Sequence, residues 1–317
     1  MHSEVVVEVV RSGLVESEHH GIVVALDAGG DRVLQVGDPG APVFPRSAVK
    51  PLQATAMVEA GLRLEGELLA LAAASHSGEP VHLGGVRRIL AGAGLPESAL
   101  QCPADLPLGP AARTAWLRQG GTPAPLAMNC SGKHAAMLAT CVCNGWPTDT
   151  YLESDHPLQR HIRATVEAMT GQKVAATGVD GCGAPLFATS LEGLARSFAA
   201  LATAGADTPA GAVADAIRQH PLMLGGTGRD VTRLIEAVPG LVAKDGAEGV
   251  YVLALRDGAA AALKVTDGAE RARPPVMVAL LRRLGAPVNG LDDLATPLVL
   301  GGGQPTGAIR AAARITG

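Results

Sequence analysis

The serine and the lysine of Ser47-Ala48-Val49-Lys50 have the spacing of a nucleophile and its base, in a sequence with only five lysines, at 50, 133, 173, 244 and 264. Side chains at i and i+3 share a helical face, so an amine at 50 can reach a hydroxyl at 47 and take its proton. This is the Ser-Lys alternative to a Ser-His-Asp triad. A serine hydroxyl is a poor nucleophile without such a base. The lysine serves only if burial or a neighbouring cation such as Arg46 makes it give up its proton. Pro51 is tolerated in a helix only in the first turn, which places the pair at a helix N-terminus, where backbone N–H groups favour a developing oxyanion. The plainer alternative is an N-capping Ser47 followed by a solvated Lys50.

Four further clusters carry chemistry-bearing side chains. Ala74-Ser75-His76-Ser77-Gly78-Glu79-Pro80-Val81-His82 follows the apolar run Leu68 to Ala74 and reads as a polar loop at the end of a buried helix; a simple turn with helix caps is its alternative. Asn129-Cys130-Ser131-Gly132-Lys133-His134 and Gly178-Val179-Asp180-Gly181-Cys182-Gly183-Ala184-Pro185 each set a thiol beside glycine in a polar loop. Two thiolates with His134, Asp180 or Lys133 could complete a zinc site, although the spacing matches no Cys-x-x-Cys pattern and two unrelated core cysteines would look the same. Lys244-Asp245-Gly246 stands where penicillin-recognising enzymes carry Lys-Thr-Gly in chain order. Lys264-Val265-Thr266-Asp267-Gly268 competes with it and reads more simply as a strand ending in a turn.

The elements that must position these residues are legible from the patterning. Val5 to Val10, Gly21 to Asp27 and Arg32 to Gly37 read as an antiparallel meander, the last two joined by Ala28-Gly29-Gly30-Asp31. From Pro51 to about Ala237 the pattern is helical, in segments such as Leu52 to Ala60, Leu68 to Ala74, Val86 to Ala93, Ala135 to Cys143, Leu158 to Met169 and Leu191 to Ala204. Gly249 to Leu255 and Ala260 to Val265 form a hairpin over Arg256-Asp257-Gly258. Leu298-Val299-Leu300 before Gly301-Gly302-Gly303 reads as a buried strand running into a flexible loop. The expected architecture is a single α/β domain spanning 1–317. Its sheet is drawn from about 1–50 and 238–317, and a helical region lies between at about 51–237.

Composition narrows the function classes. The net charge is −4 with no basic cluster, and aromatic residues are 2% of the chain, so neither an electrostatic footprint nor stacking platforms for nucleic acid are present. Apolar residues make up 47%, enough for a sizeable aliphatic core. No run approaches the roughly 18 apolar residues of a membrane span, and the opening Met1-His2-Ser3-Glu4 lacks a basic region, so a soluble cytoplasmic protein is expected. The five dispersed cysteines suit free thiols in a reducing compartment.

Taken together, Arg11 to His20, Arg46-Ser47-Ala48-Val49-Lys50-Pro51, Ala74 to Glu79, Asn129 to His134, Asp155-His156-Pro157, Gly178 to Cys182 and His220-Pro221-Leu222-Met223 resemble the L-asparaginase II family, of the Rhizobium etli type, over essentially the whole chain. The resemblance implies a serine β-lactamase/glutaminase-like fold with an antiparallel-rich sheet, a homodimer, and hydrolysis of the side-chain amide of L-asparagine to L-aspartate and ammonia. It implies two Ser-Lys pairs, Ser47 with Lys50 and Ser75 with Lys244, and a zinc held by Cys130, Cys182 and Lys133 with Asp180 close by. Asp180 would then meet the substrate ammonium and Arg46 its carboxylate, with His76 and Gly246 completing the substrate-binding set. Asp245 stands where the family often has threonine or serine beside the lysine. A glutaminase, a penicillin-recognising acylase on the same scaffold and a non-catalytic zinc- or ligand-binding module are the alternatives.

Overall fold

β-branched residues open the chain as a hairpin. Strand β1 (Glu4–Arg11) turns into β2 (Leu14–Leu26) over Ser12 and Gly13, both at positive φ, and β3 (Arg32–Val36) adds to β2. The computed structural model describes residues 2–316. After β4 (Pro42–Val43) and a 3-10 turn, Arg46–Val49, come the helices α1 (Lys50–Glu59), α2 (Gly66–Ala72), α3 (Pro80–Gly92), α4 (Pro110–Arg118), α5 (Ser131–Asn144) and α6 (Pro157–Thr170). Next come β5 (Ala176–Val179), β6 (Pro185–Ser190), α7 (Leu191–Thr203), α8 (Pro209–Gln219), α9 (Pro221–Leu224) and α10 (Asp230–Ala237). The chain finishes with β7 (Val242–Gly246), β8 (Val250–Ala254), β9 (Ala260–Val265), α11 (Arg273–Arg283), α12 (Asp292–Ala295), β10 (Leu298–Gly301), β11 (Gln304–Ala311) and α13 (Ala313–Thr316). Proline opens α1, α3, α4, α6 and α8, where its missing N–H costs nothing, and left-handed Gly145 and Gly171 close α5 and α6.

The described residues divide into two compact units. The first comprises residues up to Ala48, Thr189–Thr203 and Arg233 onward. Its antiparallel sheet has the order β10-β11-β1-β2-β9-β8-β7, with β3 also on β2. The termini therefore meet in one sheet, as expected: Val7 faces Ala311 and Gly21 faces Val265. Every residue of β7 and β8 is buried, so neither face of these strands is open to water. Helix α7 packs on β2, β8 and β9 through Leu191, Leu194, Ala195, Phe198 and Leu201, all fully buried. Its amphipathic stripe makes α7 one of the helices that the middle of the chain supplies to cover the sheet, and within 51–237 only β5 and β6 are strands among the described elements.

Two readings of the C-terminal strand are corrected. In β10 only Val299 is buried, while Leu298 and Leu300 are 62% and 54% exposed, as an edge strand with one covered face allows. The following glycines do not form a flexible loop. Gly302 and Gly303, both at positive φ, make a tight turn that pairs Gly301 with Gln304.

The second unit, Val49–Ala188 with Ala204–Thr232, is mainly helical. Helix α1 lies against α5, α6 and α8, and α2 against α3, α5, α8 and α9. Leu52, Met57, Leu71, Met137, Leu138, Ile162, Val213 and Ile217 are fully buried in it. Its one hairpin pairs β5 with the Pro185–Ala188 part of β6 and closes through bonds between Asp180 and Ala184 and between Gly183 and Asp180.

Candidate active site

In the helical unit, the chemistry gathers around two buried lysines. Lys50 is the first residue of α1 and is wholly inaccessible to solvent. Its ammonium donates to Ala74 O at 2.6 Å, to Ser75 Oγ at 3.0 Å and to Cys130 Sγ at 3.0 Å. Lys50 does open a helix, as Pro51 required, but the hydroxyl its described bonds reach is Ser75, twenty-five residues on. The expected partner was Ser47.

Ser75 owes its position to the loop after α2. Ser75 N bonds Leu224 O and His76 N bonds Asn129 O, each at 3.1 Å, so the loop is tied to two other segments. The His76 ring is fully buried and completes the ties. Its Nδ1 accepts from Gly78 N, which leaves the proton on Nε2 to be donated to Ser131 Oγ at 2.9 Å. With both ring nitrogens engaged, His76 orders the loop that carries Ser75. The His82 ring stacks on it at 5.2 Å, with Nδ1 accepting from Glu79 N and Nε2 donating to Leu222 O.

Burial holds both imidazoles below their ordinary pKa, His76 further depressed by His82 and Lys50. Both therefore stay neutral when folded and gain protons on unfolding below about pH 6.5. Stability is complete above that value and falls as the pH drops through it. Each histidine adds a slope of up to about 1.4 kcal/mol per pH unit. Urea unfolding between pH 7.5 and 5.5 should show this decline, and His76→Gln should remove about one proton's share of the slope.

The second lysine, Lys133, lies in the first turn of α5, and its ammonium is 3.0 Å from Cys182 Sγ. Cys182 is held far below the usual thiol range by the Cys130 S–H, Lys133 and His134, and it is the thiolate of the pair. Cys130 keeps its proton because the Cys182 sulfur and burial oppose a second negative charge. Burial works against a charged Lys133, but the two sulfurs outweigh it and push its pKa up. Asp180 Oδ2 is 3.5 Å from Cys182 Sγ, brought there by the β5–β6 turn. Cys130, Cys182 and Lys133 thus do come together, as a thiol, a thiolate and an ammonium.

Among the described residues no group of three or more His, Cys, Asp or Glu side chains is arranged to hold a metal, so a zinc here must count Lys133 as its third donor. Two sulfurs and an amine suit zinc chemically. The ion would have to replace the Lys133 and Cys130 protons that now balance the Cys182 charge.

The remaining candidates lie in the sheet unit. Arg46 has a left-handed backbone, φ 51°, and Ser47 follows it, half-buried, in the 3-10 turn. Gly246 at the end of β7 abuts this turn: a Cβ there would stand 2.8 Å from Pro45 O and 3.1 Å from Ala48 N, so only glycine allows the approach. Gly246 therefore shapes the turn through its backbone. Its carbonyl accepts from Arg273 Nη1 at 2.6 Å, and that buried guanidinium lies 5.8 Å over the Tyr251 ring.

Lys244, fully buried, donates to Asp245 Oδ1 at 2.5 Å and to Asp245 O at 2.8 Å. Asp245 and Arg273 are two further charged residues that the fold brings into this part of the unit. Asp245 could have been suspected as the acid beside a motif lysine, whereas nothing in the sequence around Arg273 signals its grip on Gly246. Lys244→Met removes one partner of a buried ion pair and should cost about 3 to 5 kcal/mol. The double variant Lys244→Met/Asp245→Asn should cost less than that single change, and urea unfolding of the three proteins measures the coupling.

Compared with known proteins, the chain matches the sequence profile of the family described as L-asparaginase II over residues 7–311. No match is found among curated proteins. Among solved structures it is similar to a β-lactamase from Mycobacterium bovis, with 14% identity over 83% of this chain and 94% of that one and a TM-score of 0.48. It is also similar to Mglu in its native form, with 13% identity over 86% of this chain and 65% of that one and a TM-score of 0.44.

Proposed function

Because the chain belongs to the L-asparaginase II family, we propose that it hydrolyses the side-chain amide of L-asparagine to L-aspartate and ammonia through an acyl-enzyme. The observation that carries this reading is the Lys50 ammonium, buried and 3.0 Å from Ser75 Oγ. A hydroxyl and an amine within hydrogen-bond reach are the minimum for nucleophilic catalysis by serine. In the reactive state Lys50 is neutral and takes the hydroxyl proton; the protonated lysine then returns it to the leaving ammonia, and water resolves the aspartyl ester. The backbone carbonyl of Ala74 fixes the Lys50 amine at 2.6 Å. Ser47 is the proposed acyl carrier on the strength of its spacing from Lys50, and Ser75 holds and passes the proton. Lys244, Asp180 for the substrate ammonium and Arg46 for its carboxylate complete the assignment.

Cys130, Cys182 and Lys133 would hold a zinc. When bound, zinc supplies a Lewis-acidic centre that orients the substrate, and the serine remains the nucleophile. Removing zinc with a chelator should therefore slow turnover without abolishing it, and complete loss from a still-folded protein counts against this role. The assembly is proposed to be a cytoplasmic homodimer, which sedimentation of the purified protein checks as to oligomeric state. Among the described residues no helix is long and apolar enough to cross a membrane.

The test is ammonia release from L-asparagine and L-glutamine, with metal content measured on the same samples and nitrocefin offered in parallel. Hydrolysis of asparagine in clear preference to glutamine supports the reading. Equal use of both makes the enzyme a broader amidase, and nitrocefin turnover without ammonia from either amide overturns it. An aspartyl adduct trapped by rapid acid quench and mapped to the peptide containing Ser47 confirms the acyl carrier, whereas mapping to the Ser75 peptide reverses the two serines.

A further inference from the structure

Lys264 and Glu248 have no part in the chemistry above, yet they converge on the turn that carries Arg46 and Ser47. Glu248 is in the β7–β8 loop with its backbone at φ 59°, one of three non-glycine residues at positive φ among those described, and Arg46 is another. These two strained residues face each other: Arg46 Nη1 is 3.8 Å from Glu248 Oε1. The Lys264 ammonium donates to the Glu248 backbone carbonyl, so its place is fixed independently of the Glu248 side chain. The other carboxylate oxygen rests against Gly268, where a Cβ would stand 2.8 Å from Oε2.

Arg46 thus faces the Glu248 carboxylate while Lys264 holds the backbone carbonyl of the same residue. Burial and the Arg46 charge hold Lys264 below its ordinary pKa, burial being the larger cause, while the Glu248 and Asp267 charges pull the other way. The carboxylate is also the loosest member. The Glu248 side chain is 64% exposed against 25% for Arg46, and an exposed pair at this separation is held weakly. Left-handed backbone at a glutamate, where glycine would relieve the strain, fits a residue kept for what its side chain does.

Building on the asparaginase reading, we infer that Arg46 and Lys264 form the subsite for the α-carboxylate of the amino-acid substrate, and that Glu248 is a resident anion which that carboxylate displaces. The subsite selects for a free α-carboxylate, and Glu248 sets how strongly a substrate must compete for it. Glu248→Gln removes the competitor at nearly constant shape. Lys264→Met removes one cation and keeps the aliphatic stem.

The measurement is the ratio of kcat/KM for L-asparagine to that for L-asparaginamide, whose α-carboxylate is blocked. Glu248→Gln should raise the ratio about threefold, through KM for asparagine, and Lys264→Met should lower it about tenfold. Ratios within twofold of the wild type in both variants overturn the proposal even when asparagine is turned over normally. If the wild type hydrolyses no asparagine, the asparaginase reading fails, and calorimetric titration with L-aspartate decides the subsite. Binding about threefold tighter in Glu248→Gln and about tenfold weaker in Lys264→Met upholds it, whereas equal binding in all three proteins, or none, overturns it.

Discussion

Replacing Lys50 with methionine should lower ammonia release from L-asparagine by about three to four orders of magnitude, the scale on which a serine hydrolase loses turnover when its base is removed. Methionine fills nearly the same volume in the α1 core, so the change isolates the amine. It also leaves three groups without their donor: the Ala74 carbonyl, the Ser75 hydroxyl and the Cys130 sulfur. An unsatisfied buried carbonyl alone costs about 1 to 3 kcal/mol, so a stability loss in that range should accompany the kinetic one. Steady-state kinetics and urea unfolding on the same preparation separate the two. A folded Lys50→Met protein that keeps a tenth or more of wild-type turnover would show that the proton travels elsewhere.

A second large effect is expected from a single methyl group at Gly132. This glycine sits between Cys130 and Lys133 in the first turn of α5, and a Cβ there would stand 2.5 Å from the Leu71 carbonyl oxygen and 2.7 Å from Leu71 Cγ. The obstruction includes backbone, so it cannot be relieved by a rotamer change. Helix α2 must move away from α5, and Ser75 lies three residues after α2 ends at Ala72. Gly132→Ala should therefore cost about 3 kcal/mol, the upper part of the range for overpacking, and should reduce turnover in the fraction that remains folded. Gly84→Ala is the contrast, because nothing lies within 4 Å of the added methyl in α3. There the better helix propensity of alanine should leave stability unchanged or raise it by up to about 1 kcal/mol. Comparable losses at the two positions would mean that backbone entropy, and not the approach of α2 to α5, governs both.

These two positions illustrate what the sequence makes legible. The helix beginning at Lys50 follows from Pro51, the apolar stripes predict α1, α2, α3, α5 and α6 to within a few residues except at the start of α3, and the hairpin over Arg256-Asp257-Gly258 appears as β8 and β9. Strand β2 runs further back than its apolar segment suggests, to Leu14, because Ser17 to His20, and beyond a bulge at Glu16 also Leu14 and Val15, pair with β1 through backbone bonds that polar side chains do not advertise. The types of the reactive residues were readable; their partners were not. The Lys50 bonds span 25 and 80 positions to Ser75 and Cys130, and no local pattern encodes which hydroxyl a buried amine will meet. Gly132 likewise reads as an ordinary loop glycine until α2 is laid against it.

The order in which the sheet's strands are made has a consequence for synthesis. β1 pairs with β11 and β2 with β9, so Val7 waits for Ala311 and Gly21 for Val265. At 5 to 20 residues per second the ribosome needs roughly 15 to 60 s to deliver the last of these partners. During that interval the β1–β2 hairpin, with Val6, Val7, Ile22, Val23 and Val24 destined for complete burial, has only itself and β3 for company. A lone hairpin is marginal in water, whereas much of the helical unit is translated early and its contacts can close at once. The nascent chain is therefore expected to acquire its helices first and to carry an uncovered apolar ribbon until β9 and β11 have been made. Arrested chains ending before β9 should be cleaved by protease within the first forty residues and protected in the helical unit, Val49–Ala188.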